Sequence, residues 1–198
     1  HGLSAAMTED PIVIVDGGHT HSGEEKTPLN LGEIDKLIND LGDDLSAFAV
    51  VSSFATRNPS HEILVRDLIR KKTGKPVTCS SDLSVRLNGP KRAITSVLNA
   101  RLIGLIDRLI CASKFKLQAL GINAPLMVVR GDGALISSDV AQEKPIETIL
   151  SGPAASIVGA QWLTNAADAI ISDIGGTTTD IAILRNGKPK IDPNGAKV

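Results

Sequence analysis

The residues most able to do chemistry lie between Asp173 and Asp180, where the chain reads Asp-Ile-Gly-Gly-Thr-Thr-Thr-Asp. Gly175 and Gly176 allow the backbone to bend tightly and to approach a ligand without a Cβ in the way. The amides after this bend, with the hydroxyls that follow, form a dense set of donors that suits phosphate oxygens. These hydroxyls belong to Thr177, Thr178 and Thr179. An acidic residue at each end can hold Mg²⁺ through water or orient an attacking group.

This segment predicts a phosphate-binding hairpin, in which the two glycines and three threonines form the cradle. Asp173 and Asp180 are the predicted catalytic and metal-binding residues. The alternative is a plain hairpin with Thr-rich strand positions. The segment is not a Walker A loop, because no Gly-Lys-Ser/Thr sequence is present, and not a Rossmann fingerprint, because a strand is expected to follow it.

Three further residues are candidates for the same site. Ser151 and Gly152 open a predicted helix whose N-terminus could face an anion, although an ordinary capped helix start fits equally well. Asp132 lies between two glycines after a predicted strand. It is either a metal ligand at the mouth of a cleft or a turn residue that bonds its own backbone.

Other polar residues have simpler interpretations. Asn58 and His61 are expected to cap or support a helix. His19 and His21 are expected in an exposed loop, because a metal site needs more ligands than the nearby sequence offers. The two cysteines are expected in the core or on a helix face, and they are Cys79 and Cys111.

The elements that must position these residues alternate between strands and helices, which indicates an α/β fold, and a hairpin at the end predicts a mixed sheet. Predicted strands are Ile12–Val15, Phe48–Val51, Pro76–Cys79, Leu126–Val129, Ala169–Ile174, Asp180–Leu184 and Lys188–Ile191. Predicted helices run from Asn30 to Gly42, from Asn58 to Gly74, over about residues 91–120, over Ser138–Gln142 and from Gly152 to about Leu163. Asn30 and Glu33 form a predicted capping pair, and Asn186-Gly187 predicts the turn of the terminal hairpin.

Composition excludes several classes of protein. The chain has 198 residues and a net charge of −1, which argues against a nucleic-acid footprint or a membrane-surface patch. No apolar run reaches the roughly 18 residues of a membrane-spanning helix. The two cysteines fit neither a disulfide framework nor a metal-ligand spacing. We therefore expect a cytoplasmic protein with reduced thiols that binds neither nucleic acid nor membrane.

Four stretches, in this order and spacing, resemble the hydantoinase/oxoprolinase family over about residues 10–190. They are Asn58-Pro59-Ser60-His61-Glu62, Arg130-Gly131-Asp132-Gly133-Ala134-Leu135, Glu147-Thr148-Ile149-Leu150-Ser151-Gly152-Pro153-Ala154-Ala155, and the Asp173–Asp180 segment. The combination is specific, whereas any one stretch alone would not be. Asp173–Asp180 resembles the second phosphate loop of the family, and the helix after Ser151 resembles the connector between its two lobes.

The resemblance implies a fold and an activity. It implies a mixed sheet with flanking helices, part of an actin-like (ribonuclease H-like) ATPase fold. Residues 1–125 would be an α/β domain before the connector, and residues 126–198 a segment of one lobe. The implied enzyme uses ATP and Mg²⁺ to phosphorylate the oxygen of a hydantoin- or 5-oxoproline-type ring, which water then opens. A second subunit similar to hydantoinase B is the implied partner.

Three alternatives remain open: a ketone (acetone-type) carboxylase subunit, a small-molecule kinase of the same superfamily, and a non-catalytic interaction module. Family members carry an earlier Asp-x-Gly-Gly-Thr loop and a later adenosine-binding part. Here Asp16-Gly17-Gly18-His19-Thr20 is only a partial look-alike of that earlier loop. We therefore expect an internal piece of a longer enzyme that by itself hydrolyses no ATP above background. Turnover that depends on Asp180 would contradict this expectation.

Overall fold

The computed structural model describes residues 10–41 and 44–190. Spatial contacts divide the chain into two compact units, His1–Leu105 and Ile106–Val198. This division falls inside a long helix, whereas the boundary expected from the resemblance lies at residue 125. That boundary concerns the domains of the parent protein and stays a prediction. None of the helices in the described ranges combines the length and apolarity needed to cross a membrane.

The first unit is a two-stranded parallel sheet with helices around it. Its elements are α1 (Leu31–Leu41), β1 (Phe48–Val50), α2 (Ser60–Thr73), β2 (Val77–Cys79), α3 (Ser80–Leu83) and the start of α4 (Gly89–Ala119). β1 and β2 pair with Phe48 opposite Val77. Apolar side chains of α1, α2 and β2 form the core cluster, and they are Ile34, Ile38, Ile69 and Val77.

The helix boundaries follow the local signals. The Asn30 side chain accepts a hydrogen bond from the Glu33 amide at 3.2 Å, which confirms the predicted capping pair of α1. Gly74 ends α2 at a φ of +66°, a left-handed conformation that favours glycine. Asn88 caps α4 through the Lys91 amide at 3.1 Å, so this helix begins two residues before the predicted start. Gly42, expected to end α1, lies outside the described residues.

The prediction of a strand at Ile12–Val15 is wrong. These residues form no strand, and 91% of the Ile14 side chain is exposed. An apolar run favours an extended chain, but a strand needs a hydrogen-bonded neighbour, and within the described residues β1 pairs only with β2.

The second unit contains two antiparallel sheets packed on one helix. After the end of α4 come β3 (Met127–Val129), β4 (Leu135–Ser137), α5 (Ser138–Glu143), a 3₁₀ helix (Pro145–Thr148), α6 (Ser151–Thr164), β5 (Ala169–Ile174), β6 (Thr179–Arg185) and β7 (Lys188–Pro189). β3 pairs with β4, and β6 lies between β5 and β7. α6 contacts β3 and all three strands of the second sheet.

The α/β class is confirmed, but the single mixed sheet is not formed in the described residues. Hydrogen bonds join the strands into one parallel pair, one antiparallel pair and one antiparallel triplet. β4 was not predicted, because three residues are too few for a clear alternation. The Asn186-Gly187 hairpin is confirmed, with φ of 51° and 70° as its turn type requires.

A buried carboxylate holds the first unit together. Glu62 is fully buried near the start of α2 and accepts four hydrogen bonds from residues that follow β1 and β2. Its Oε1 atom accepts from the Ser52 amide at 2.8 Å and the Ser80 hydroxyl at 2.6 Å. Its Oε2 atom accepts from the Ser81 amide at 2.9 Å and the Ser81 hydroxyl at 2.7 Å. The carboxylate therefore ties α2 to the carboxyl ends of both strands.

Arg92 extends this network into α4. Its side chain is buried, and its Nε atom lies 3.3 Å from the Ser80 hydroxyl that also bonds Glu62. Its two terminal nitrogens donate to the carbonyls of Arg86 and Ser52, each at 3.1 Å. The guanidinium thus places a positive charge beside a buried negative one and fixes the start of α4.

The expectation of an exposed His19 is wrong, because its side chain is 2% exposed. Its Nε2 atom lies 3.1 Å from the Ser60 hydroxyl, and its ring lies 4.3 Å from that of His61. The His61 Nδ1 atom accepts from the Gly18 amide at 2.9 Å, so its Nε2 atom carries the proton and donates to Glu25 at 2.8 Å. His61 is therefore a supporting residue, as expected, whereas His21 is exposed.

We predict that Glu62→Gln destabilises the first unit by about 2–4 kcal/mol, because an amide nitrogen would face donors that now meet a carboxylate. Hydrogen exchange of the β1 and β2 amides measures this change, and the β5 and β6 amides serve as an internal reference. Glu33→Gln, at an exposed position of α1, is the matched control and should leave exchange unchanged. Equal exchange of the β1 amides in both variants would contradict the structural role of Glu62.

The first unit should also lose stability in mild acid. Burial, and then the neighbouring His61, lower the pKa of His19 below its ordinary 6.5. The unfolded chain therefore binds more protons, so the free energy of unfolding falls as pH drops below about 6.5 and continues to fall until the folded pKa is reached. Urea unfolding between pH 7.5 and 5 tests this. His19→Asn should flatten the pH dependence, and His21→Asn should not; equal slopes would refute the assignment.

Candidate functional site

The predicted strand–turn–strand unit is present. β5 and β6 pair with Asp173 opposite Asp180 and Ile174 opposite Thr179. The Gly175 amide donates to the Thr178 carbonyl at 2.9 Å, which closes the turn. The hairpin therefore brings the two acidic ends of the segment together, although they are seven positions apart in the sequence.

The turn is open to a ligand. All residues from 174 to 180 are exposed. Within the described part of the chain, the amides of Gly176 and Thr177 and the three threonine hydroxyls make no hydrogen bond. Neither Gly175 nor Gly176 has a left-handed φ, and a Cβ on Gly176 would meet nothing within 4 Å. The turn therefore does not require a glycine at position 176. The absence of a side chain there leaves the amides accessible to phosphate oxygens.

The two carboxylates of the hairpin face each other without a protein cation. Residues directly opposite in an antiparallel pair share one face of the sheet, and like charges there are destabilising. Asp173 is half-buried and Asp180 is exposed, and neither side chain has an ion pair with a described residue. A bound cation would relieve this repulsion, so the pair fits the predicted metal role, which stays a prediction.

The start of α6 is also open. Leu150 precedes it in a left-handed conformation and makes no side-chain cap. The amides of Ser151 and Gly152 bond to none of the described residues, and the space around Gly152 is empty. Uncapped amides and the helix dipole favour an anion at such an end.

Chain direction places the hairpin turn and the start of α6 at the same end of the second unit. The short connection 165–168 joins the end of α6 to the start of β5, and the two elements pack against each other. They therefore run in opposite directions, so the N-terminus of α6 lies toward the end of β5. The Gln161 side chain, near the other end of α6, donates to the Gly187 carbonyl at 2.7 Å, at the turn opposite Gly175.

Asp132 occupies a tight turn that packs on the approach to α6. A Cβ on Gly131 would lie 2.5 Å from the Ile149 carbonyl, and one on Gly133 would lie 2.7 Å from the Val158 side chain. Both positions therefore require glycine. Asp132 accepts a hydrogen bond from the Ala134 amide at 3.0 Å. This is the contact expected of a turn aspartate, which was one of the two alternatives for this residue.

Arg130 holds the Asp132 carboxylate with two nitrogens, one of them Nε at 2.9 Å. This fork, followed by the Ala134 amide, lowers the pKa of Asp132 to about 2. Asp132 is therefore ionised at neutral pH, as a metal ligand must be, and its metal role stays a prediction. Arg130 was not predicted as a site residue. The one indication in the sequence is a basic residue two positions before the turn aspartate.

Within residues 10–41 and 44–190, no three His, Cys, Asp or Glu side chains group closely enough to hold a metal by themselves. This arrangement differs from a structural zinc site. It is compatible with Mg²⁺, which usually binds one or two carboxylates, several waters and substrate phosphates.

The look-alike loop in the first unit is not a phosphate cradle. The Gly18 amide bonds His61, and the His19 amide donates to the Ser53 carbonyl at 3.1 Å. The Asn58 side chain links the following residues to the start of α2, because it donates to the Gly23 carbonyl and accepts from the Ser60 amide, each at 3.0 Å. The amides of Gly18, His19 and Thr20 are therefore already used within the protein.

The cysteines differ in their surroundings. Cys79 is fully buried at the end of β2, and burial raises the pKa of its thiol to about 12, with the Glu62 charge contributing. It therefore stays protonated and unreactive. Cys111 is exposed on α4, as expected for a helix-face residue, and its Sγ atom lies 3.9 Å from an Asp107 oxygen.

Comparison with known proteins relates the chain to one family. A model of the hydantoinase/oxoprolinase family matches residues 92–196, and a model of the N-terminal region of the same family matches residues 3–73. The acetophenone carboxylase gamma subunit of Aromatoleum aromaticum is 27% identical over 173 residues, which cover 82% of this chain and 23% of that protein. The 5-oxoprolinase 1 of Arabidopsis thaliana is 28% identical over 166 residues, or 81% of this chain and 12% of that protein.

A solved structure also resembles this chain. The crystal structure of the ATP-dependent caprolactamase from Pseudomonas jessenii superposes with a TM-score of 0.76 and 26% sequence identity. The match covers 85% of this chain and 25% of that one. The chain thus spans about a quarter or less of the length of these relatives.

The open turn leads to a measurable expectation. The amides of Gly176 and Thr177 should exchange with solvent about tenfold faster, or more, than that of Gly175, which is bonded to Thr178. Residue-resolved hydrogen exchange by NMR measures all three in one sample. Strong protection of Gly176 and Thr177 without ligand would mean that these amides are not available to phosphate.

Proposed function

The chain belongs to the hydantoinase/oxoprolinase family, and on that premise we propose that its parent protein is an ATP-dependent hydrolase that opens a cyclic amide or imide ring. The observation that carries the proposal is the β5–β6 turn, where unbonded amides lie beside two unpaired carboxylates. The open N-terminus of α6 lies toward the same end. Together they supply donors for phosphate oxygens and acidic ligands for a cation.

The parent fold, in this proposal, is an actin-like ATPase in which β5 and β6 form one phosphate hairpin and α6 connects two lobes. The direction of α6 supports this, because its N-terminus reaches the end of the unit that carries the turn. Residues 1–125 then precede the connector and residues 126–198 belong to the lobe. The first phosphate loop and the adenosine pocket would be supplied by other parts of the parent protein.

The residues of this chain act mainly by positioning charge. The amides of Gly176 and Thr177, with the hydroxyls of Thr177–Thr179, would hold oxygens of the γ-phosphate. Asp173 and Asp180 hold Mg²⁺ through water, and the amides of Ser151 and Gly152 add donors at the same end. Bound Mg²⁺ supplies neutralisation of the charge that develops on the phosphate.

The reaction follows from this arrangement. The ring carbonyl oxygen attacks the γ-phosphorus, ADP leaves, and the carbonyl carbon becomes a better electrophile. Water then adds to that carbon, the carbon–nitrogen bond breaks, and the nitrogen takes up a proton, which leaves an acyl phosphate. A second water hydrolyses the acyl phosphate to the open-chain acid and inorganic phosphate. In this proposal Asp180, which is exposed beside the turn, orients the attacking oxygen. The substrate class of this proposal is a lactam or hydantoin of the 5-oxoproline or caprolactam kind.

A ketone carboxylase subunit is the second candidate, and the similarity to an acetophenone carboxylase subunit favours it. The same phosphate activation of a carbonyl oxygen would then precede carbon–carbon bond formation. Both candidates are compatible with a second, hydantoinase B-like subunit and with a cytoplasmic location, which remain proposals.

The two candidates separate in one assay. Phosphate release by the full-length protein, alone and with its copurifying subunits, is measured with hydantoin, 5-oxoproline, caprolactam, and acetone or acetophenone plus bicarbonate. Stimulation by a ring amide, with the open-chain acid as product, supports the hydrolase. Stimulation that needs both ketone and bicarbonate supports the carboxylase, and no stimulation by either group contradicts both.

We predict that Asp180→Asn in the full-length protein lowers substrate-dependent phosphate release by about 100-fold or more, because a charge beside the transferred phosphate is lost. Asp168→Asn is the matched control. Asp168 is also an exposed aspartate, but it lies at the opposite turn, where it accepts from the Asn186 amide at 3.2 Å. Equal activity of the two variants would contradict the proposed site.

A further inference from the structure

The guanidinium of Arg130 is shared between two carboxylates on the approach to α6. It holds Asp132 as a fork, and its third nitrogen lies 3.6 Å from Glu147 of the 3₁₀ helix. The planar fork of an arginine matches phosphate oxygens as well as it matches a carboxylate. The group is also within reach of solvent, since the side chains of Arg130 and Asp132 are 39% and 34% exposed.

The charges at this end of the second unit leave a place for a cation from the protein. Asp173 and Asp180 lie opposite each other beside the β5–β6 turn, Asp132 lies in the turn on the approach to α6, and a triphosphate would add further negative charge. Other basic residues of the second sheet lie at its opposite end, around the β6–β7 turn, and they are Arg185, Lys188 and Lys190. Arg130, by contrast, belongs to the turn whose two glycines lie against Ile149, just before α6, and against Ala154 and Val158 of that helix.

We propose that Arg130 is the protein cation of the phosphate site, and that its guanidinium exchanges the Asp132 carboxylate for oxygens of the γ-phosphate when nucleotide binds. This inference rests on the proposed function, because it assumes that the β5–β6 turn holds a nucleotide phosphate.

Only the side chain has to move. The Arg130 amide donates to the Ala134 carbonyl at 2.8 Å, and the Arg130 carbonyl accepts from the Gly133 amide at 2.9 Å, so the backbone is fixed. Asp132 keeps its bond from the Ala134 amide after the exchange. Its freed oxygen is then an ionised ligand available to Mg²⁺, which agrees with the metal role predicted for Asp132 from the sequence.

Because Arg130 leaves Asp132 only for the γ-phosphate, it should contribute to the binding of a nucleoside triphosphate and not to that of a diphosphate. Calorimetric titration of the full-length protein with the Mg²⁺ complexes of ADP and of the non-hydrolysable ATP analogue AMPPNP measures this. Arg130→Gln should weaken AMPPNP binding by about 10- to 100-fold, the value of a charge-assisted hydrogen bond, and should change ADP binding by less than about twofold. Arg130→Lys should recover only part of the loss, because lysine lacks the fork.

Asp132→Asn gives a second and independent readout. It removes the carboxylate that competes for the guanidinium, so AMPPNP should bind more tightly than in the wild type when EDTA removes Mg²⁺. With Mg²⁺ present, the same variant should bind more weakly. Arg185→Gln, which removes an exposed arginine at the opposite turn, is the control and should match the wild type in every titration.

The outcomes are distinct. Equal losses for ADP and AMPPNP in Arg130→Gln, together with a lower melting temperature, would show that the fork only supports the turn and would overturn the inference. Unchanged AMPPNP binding in this variant would overturn it as well, while the proposed function would stand if Asp180→Asn still loses activity. A wild-type protein that binds neither nucleotide would overturn the proposed function and the inference together.

Discussion

The first unit depends on one buried charge that is fully matched by hydrogen bonds. Glu62 would be expensive to bury alone, because a carboxylate loses its hydration inside a protein. Four donors from three serines and the nearby Arg92 guanidinium compensate this loss. Since these serines follow β1 and β2, the network determines where both strands end and where α2 and α4 begin. A parallel pair of only two strands could not fix those positions by its own hydrogen bonds.

The second unit is organised around a helix and not around a buried charge. α6 contacts β3 and the β5–β6–β7 sheet, and its Ala154 is buried, so the neighbouring chain lies close to the helix. Gly131 and Gly133 show the same constraint from the opposite surface, because a side chain at either position would collide with the helix or with the residues before it. The turn that carries Arg130 and Asp132 is thereby fixed next to the start of α6.

The acidic side chains with a structural role differ from the candidate site residues in whether they have a hydrogen-bonding or charged partner within the fold. Glu62 has all its acceptor capacity used inside the fold, and Asp132 shares a guanidinium with Glu147. Asp173 and Asp180 have no such partner in the described residues, although they are direct neighbours across two strands. Two facing carboxylates reduce the stability of a hairpin. The proposed function assigns a bound cation to this pair and phosphate oxygens to the open amides of the adjoining turn.

Local features of this protein follow from the amino-acid sequence alone. Asn30, Gly74 and Asn186-Gly187 specify a helix cap, a helix end and a hairpin turn through contacts within a few residues, and the structure confirms each of them. Asp173–Asp180 likewise specifies its own hairpin, since turn and strands are contiguous in the chain. The conformation of Ile12–Val15, the burial of His19, and the partners of Glu62 and Arg130 depend instead on tertiary contacts. Each depends on groups far away in the sequence, and a strand neighbour, a buried ring or an ion pair leaves no local pattern from which it could be read.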